Sequence, residues 1–177
     1  AVEMALRFKE DPAMLETSED DIYLVRVPRE EEGTLVWEDR VVTVPPVEPE
    51  PIPIAMDVDV LEEVKRLPRS RHTLEMDFFM VPARIAERGE RPYFPHMLLV
   101  VESDSGIILG SELLKPEPSL EAMWGLVPVT LVYQLARLGI VPHQINVRSP
   151  LLAQLLQPLV KELGFKVKST PTLRNLD

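Results

Sequence analysis

Four carboxylates in the middle of the chain have the types and spacing to do chemistry. Glu75 and Asp77 lie two apart in His72-Thr-Leu-Glu-Met-Asp77, and Glu102 and Asp104 stand in Glu102-Ser-Asp-Ser-Gly106. Residues two apart on a strand share a face. If the two segments pair, the carboxylates converge as oxygen ligands for a divalent ion. Asp77, Glu102 and Asp104 are therefore the candidate metal ligands for Mg2+ or Mn2+, and Asp77 is the candidate catalytic residue. Turn and edge positions also account for Glu102 and Asp104 with no ion at all. Asp77 is harder to place so simply, because a carboxylate between Met76 and Phe78 on an inner strand must be paired or exposed.

Most other chemistries lack their residues. The chain has no cysteine, which removes disulfides, thiolate nucleophiles, zinc ribbons and iron–sulfur clusters. His72, His96 and His143 are isolated from one another, with no zinc-ligand spacing. Serines 103, 105, 111 and 149 fall in turn, strand or cap contexts and none sits in a nucleophile elbow. The seven glycines form neither a dinucleotide fingerprint nor a phosphate loop, so no nucleotide cofactor is expected.

Two features suit binding. Tyr93-Phe94 lies between Pro92 and Pro95, and two aromatics on a proline-framed loop make a plausible anchor for a protein partner. Residues 125–174 carry Arg137, Arg148, Lys161, Lys166, Lys168 and Arg174 against Glu162. That stretch is either a solvated helix face and edge strand or a surface for phosphate or nucleic acid. The net charge of −10 disfavours the nucleic-acid reading. Its distribution is uneven: residues 1–53 hold 14 acids against 5 bases, and the remainder is nearly balanced. No apolar run reaches the roughly 18 residues of a membrane span, and the chain reads as a soluble cytoplasmic protein.

The elements that position these residues follow from pattern. Residues 22–27 and 34–44 are rich in β-branched and aromatic side chains around an acidic turn at 28–33. With their neighbours they form a small acidic β-rich module, residues 1–45. Five prolines then fall within nine residues, Pro45 to Pro53, so 46–56 reads as an extended proline-rich spacer. Residues 57–177 form the second domain.

That domain opens with a helix over 57–67, capped by Asp57 or Asp59 and stopped by Pro68. Strands follow at 72–81, 96–101 and 107–114, with Ser103 to Gly106 as the turn between the last two. Ser119 caps a helix whose apolar stripe runs from Leu120 to Leu138 and ends at Gly139. Pro128 kinks or restarts it. A strand at 144–147 leads to Ser149-Pro150, the cap and first residue of a helix ending at Gly164, and a last strand covers 165–168. Pro158 inside that helix is expected to cost about 3 kcal/mol.

The order from His72 onward is β-β-β-α-β-α-β. Three hairpin-joined strands followed by two crossovers resemble the ribonuclease-H-like fold, and about 100 residues are similar to an integrase or transposase core. His72-Thr-Leu-Glu-Met-Asp77 is similar to the strand carrying that family's first catalytic Asp. Met97 to Leu109 resembles its second strand, turn and third strand, and Gly139-Ile-Val-Pro-His-Gln-Ile-Asn-Val-Arg148 its approach to the second Asp. The segments from Arg91-Pro92 through Pro142 and Arg148 to Leu163-Gly-Phe-Lys-Val167 also resemble a bacterial family of unknown function, which implies no activity.

The departures set the functional expectation. Arg148 stands where the second Asp belongs, and where a helix after the last strand should supply the third carboxylate the sequence ends at Asp177. Two-metal phosphoryl transfer needs several converging carboxylates, and a guanidinium there repels the cations. Arg148 either pairs with Asp77, supplying internally the charge a metal would bring, or faces water at the rim. The expectation is a non-catalytic binding or scaffolding module with a protein partner and no cofactor. A metal-dependent enzyme using Asp77, Glu102 and Asp104 is the alternative.

Overall fold

The computed structural model describes residues 2–15, 22–45, 51–86, 89 and 92–176. The chain divides into two compact units, Ala1–Glu50 and Pro51–Asp177.

The first unit holds a helix, α1 (Val2–Glu10), a short 3-10 turn at Pro12–Leu15, and a hairpin of β1 (Ile22–Glu31) and β2 (Thr34–Thr43). The helix is absent from the sequence expectation of a β-rich module. It is tied to the hairpin by charge: Arg7 meets Asp39 at 2.7 Å and Arg26 meets Glu3 at 3.0 Å.

The hairpin turn is also tighter than the pattern suggested. It consists of Glu32-Gly33 alone, both at positive φ, as two-residue hairpin turns require. Pro28 lies inside β1 opposite Trp37, two pairs beyond a pair that does not exchange hydrogen bonds. Counting back from the turn, its nitrogen points to the open edge, where no donor is needed.

Residues 46–50, part of the proline-rich spacer expectation, lie outside the described residues. Residues 51–56 belong to the second unit. The Ala55 N–H donates to the Gly125 carbonyl at 3.0 Å, and the Pro53 carbonyl occupies the space a Gly125 side chain would need.

The second unit begins with α2 (Val58–Lys65), whose N-cap Asp57 accepts from the Val60 N–H. A five-stranded mixed sheet follows: β3 (Thr73–Met80), β4 (His96–Glu102), β5 (Ile108–Leu114), β6 (Gln144–Val147) and β7 (Lys166–Ser169). The strands lie in the order β5-β4-β3-β6-β7. β4 pairs antiparallel with both β3 and β5, whereas β6 pairs parallel with β3 and β7 parallel with β6.

Both crossovers are broken helices. α3 (Leu120–Gly125) and α4 (Val127–Leu138) connect β5 to β6; α5 (Pro150–Leu155) and α6 (Gln157–Leu163) connect β6 to β7. Ser119 and Ser149 are the N-caps and Gly139 and Gly164 the left-handed C-caps, as their types dictate. Each expected single helix is interrupted, at Leu126 and at Leu156, so that Pro128 and Pro158 fall in the first turn of a new helix. The expected cost of Pro158 is thereby removed, because a first-turn residue has no intrahelical acceptor to lose.

The core lies on one face of the sheet. Leu74, Met76 and Phe78 of β3, Leu98 and Val100 of β4, and Ile145 and Val147 of β6 pack with buried residues of α2 to α6. The alternate residues of β3, Glu75 and Asp77, point to the opposite face, yet they are only 2% and 5% exposed. β3 therefore has both faces covered over Leu74 to Phe78, not one apolar and one solvated face.

Candidate functional site

Registry places the polar residues of the second face in one row. Glu75 is opposite Asn146 on β6, and Asn146 is opposite Lys168 on β7. Asp77 comes two residues further along β3, level with the chain just beyond the end of β6, and this is where Arg148 emerges. The Arg148 guanidinium donates to Asp77 Oδ2, while the Phe78 N–H donates to Oδ1 at 3.0 Å. Asp77 is thus a paired carboxylate, and the pairing alternative for Arg148 holds over the solvent-facing one. The pair is asymmetric: the Asp77 side chain is 6% exposed and that of Arg148 40%.

Glu75 is satisfied by a different set. The Ser103 hydroxyl donates to Oε1 at 3.1 Å and the Asn175 N–H to Oε2 at 2.8 Å. The Asn175 side-chain amide also donates to the Ser103 carbonyl. Residues 170–176 thus return across the second face from the end of β7 to the β4–β5 turn, and Leu173 is buried there. Nothing in the aperiodic tail sequence signals this, although Asn175 and Ser103 are what allow Glu75 to be buried.

Glu102 serves its own turn. Its Oε2 accepts from the Ser105 hydroxyl and the Ser105 N–H, each at 2.6 Å, and from the Asp104 N–H at 3.1 Å. These bonds, the Ser105 hydroxyl foremost, hold its pKa down from 4.5 to about 2 against the opposing effect of desolvation. His72 Nδ1 lies 3.5 Å from Oε1. Asp104 is exposed. Among the described residues no three or more Asp, Glu or His side chains are grouped to hold a metal ion. Of the alternative ligand set, Asp77 is bonded to Arg148, while Glu102 and Asp104 share the β4–β5 turn, where Glu102 accepts from the Asp104 N–H.

Tyr93 and Phe94 line a groove of about 430 Å3 with Met80, His96, Lys115 and Leu120. Tyr93 is fixed by a two-way backbone bridge with Ile85 at 2.9 Å in each direction, and Lys115 Nζ lies 5.0 Å above its ring. Phe94 is 46% exposed. Desolvation lowers the pKa of His96, whose ring lies 5.4 Å from that of Phe78.

The basic residues of 125–174 are spread over several elements: Arg137 on α4, Lys161 on α6, Lys166 and Lys168 on β7, Arg148 at Asp77 and Arg174 in the tail. Among the described residues no helix is long and apolar enough to cross a membrane.

A mixed five-stranded sheet, helices massed on one face and a carboxylate–guanidinium pair on the other define the class as a mixed α/β domain with a charge-neutralised centre. Residues 60–177 match the model of the family described as a domain of unknown function, DUF6930, and the chain belongs to that family. No curated protein matches it.

Proposed function

We propose that this chain is a non-catalytic binding module: a ribonuclease-H-like domain whose catalytic centre has been replaced by an ion pair, with a protein partner held at the Tyr93–Phe94 groove. The observation that carries this reading is the Asp77–Arg148 pair. A metal centre for phosphoryl transfer needs carboxylates with free lone pairs converging on cations. Here the carboxylate on the first strand of the sheet is committed to a guanidinium, whose positive charge repels a metal at the same place.

The topology supports the fold part of the proposal. Numbered within the domain, the strands run 3-2-1-4-5, three antiparallel and two added in parallel by helical crossovers. The groove supports the partner part, since exposed Phe94, Met80 and Leu120 are 46%, 53% and 52% accessible beside a ring already fixed in place. Rigid aromatic anchors beside apolar side chains are the composition of protein interface centres.

The test is calorimetric titration of the full chain with Mg2+ and Mn2+, run beside cleavage assays on DNA and RNA. The proposal expects no saturable heat and no cleavage. Saturable binding that Asp77→Ala abolishes would overturn it. A photo-reactive residue at Phe94 should in addition give adducts destroyed by protease; adducts destroyed by nuclease would replace the protein partner with nucleic acid.

A further inference from the structure

The two ends of the sheet are treated differently by the sequence. β7 is four residues long and carries Lys166 and Lys168, both features that discourage edge pairing. β5, at the other end, has seven residues and carries Glu112 as its one charge. Ile108 and Leu113 on it are 62% and 50% exposed. Among the described residues no strand pairs with its outer edge.

Beside this edge lies an unsatisfied polar group. Gln134 of α4 is 4% exposed, and neither its side-chain nitrogen nor its oxygen has a hydrogen-bond partner. A buried amide in that state has lost its water without gaining a partner, which is costly. Its position is defined by Gly110 of β5: a Cβ built there would lie 2.7 Å from Gln134 Cδ and 2.8 Å from Oε1. The carboxamide thus fills the place of a Gly110 side chain. It lines a cavity of about 160 Å3 with Glu112, Thr130, Tyr133 and Arg137. Glu112 and Arg137, of opposite charge, form no ion pair among the described residues.

From this geometry we infer that β5 pairs antiparallel with β5 of a second copy of the chain, about a two-fold axis through Ser111. A two-fold perpendicular to the sheet keeps the helix-bearing faces on the same side, so partner residues must share a face. The register centred on Ser111 sets Gly110 of one copy opposite Glu112 of the other. Centring it on Glu112 would place two carboxylates face to face, which is unfavourable. Directly opposed Cβ positions lie about 4.5–5.5 Å apart. Glu112 of one copy then reaches the carboxamide that stands in for the other copy's Gly110 side chain, with Arg137 one helical turn beyond. The contact occurs twice, gives each Gln134 Nε2 an acceptor and brings each Glu112 toward the other copy's Arg137. A strand from a different protein would find the same edge but not this self-complementarity. The inference is independent of the Asp77 site and of the Tyr93–Phe94 groove.

Sedimentation equilibrium of the full chain tests it. An edge-strand seam falls at the small end of dimer interfaces, so the wild type should show a mass rising with concentration toward twice that of the chain. Glu112→Lys and Arg137→Glu should each raise the dissociation constant about tenfold or more. The double variant E112K/R137E should restore dimerisation, because the charges are exchanged and not lost. Circular dichroism confirms that each variant is folded. A wild type that stays monomeric at its highest attainable concentration overturns the inference and leaves the edge to another protein's strand. A dimer that Glu112→Lys leaves intact overturns it as well.

Discussion

Arg148→Ala should destabilise the α/β unit more than Asp77→Ala does, and the two effects should not add. Removing one member of a buried ion pair costs about 3–5 kcal/mol, whereas an exposed pair contributes about 0.2–1 kcal/mol. With side chains 6% and 40% exposed, the Asp77–Arg148 pair falls between these limits. Truncating Arg148 strands a buried carboxylate, and screening from the exposed side reduces the penalty to about 2 kcal/mol. Truncating Asp77 instead frees a guanidinium that can turn to water, and the cost is about 1 kcal/mol. The double variant has no stranded charge and should lose about 2 kcal/mol, which gives a coupling of about 1 kcal/mol. Urea unfolding in a Trp37→Phe background measures it, because Trp124 then reports alone and packs edge-on against Phe78, beside Asp77, at 4.7 Å. Effects that add to within about 0.5 kcal/mol would refute the coupling and with it the view that Arg148 neutralises Asp77.

The remaining predictions follow from particular contacts. The Glu102 carboxyl, held down to about 2, adds stability that is complete above its unfolded pKa near 4.5 and is lost as pH falls toward 2; Glu102→Gln should flatten acid unfolding in that window. His96 is also depressed, by desolvation, so the unfolded state takes up its proton first and stability falls as pH drops below about 6.5; His96→Phe should remove that earlier loss. Gly110→Ala should destabilise by about 1–3 kcal/mol through its clash with Gln134, and adding Gln134→Ala should recover most of it in a thermal melt. Pro158→Ala should change stability by less than about 1 kcal/mol, since the proline occupies a first turn; a gain near 3 kcal/mol would show that it interrupts a continuous helix.

Much of the second unit could be read because its boundaries carry residues with one physical use. Ser119 and Ser149 cap, Gly139 and Gly164 adopt left-handed backbone, and Asp57 accepts from the first turn of its helix. The hairpin-then-crossover order followed from them. Pro128 signalled that the first crossover helix kinks or restarts, and it restarts after Leu126. The break at Leu156 was not legible, because the apolar stripe passes through it without a change of period and Pro158 marks it only once the chain is known to restart there. Helix α1 was missed because nine residues with no strong cap give little signal.

The site divides in the same way. Asp77 drew attention because a carboxylate between two core residues demands a partner, and Arg148 was placed near it by strand order alone. Glu75 could be put on the same face, but its burial depends on Ser103 and on Asn175, which is 100 residues away in sequence. Gln134 was indistinguishable from a surface residue on an amphipathic helix. Only its approach to Gly110 across the β5–α4 contact shows that it is buried.

The most direct test of the central claim is site-resolved nuclear magnetic resonance of the full chain titrated with Mn2+, following amide signals of residues 73–80, 102–106 and 146–149. The account predicts no broadening centred on Asp77, because Arg148 already occupies its carboxylate. Saturable broadening focused on Asp77 in the wild type and lost in Asp77→Ala would contradict it.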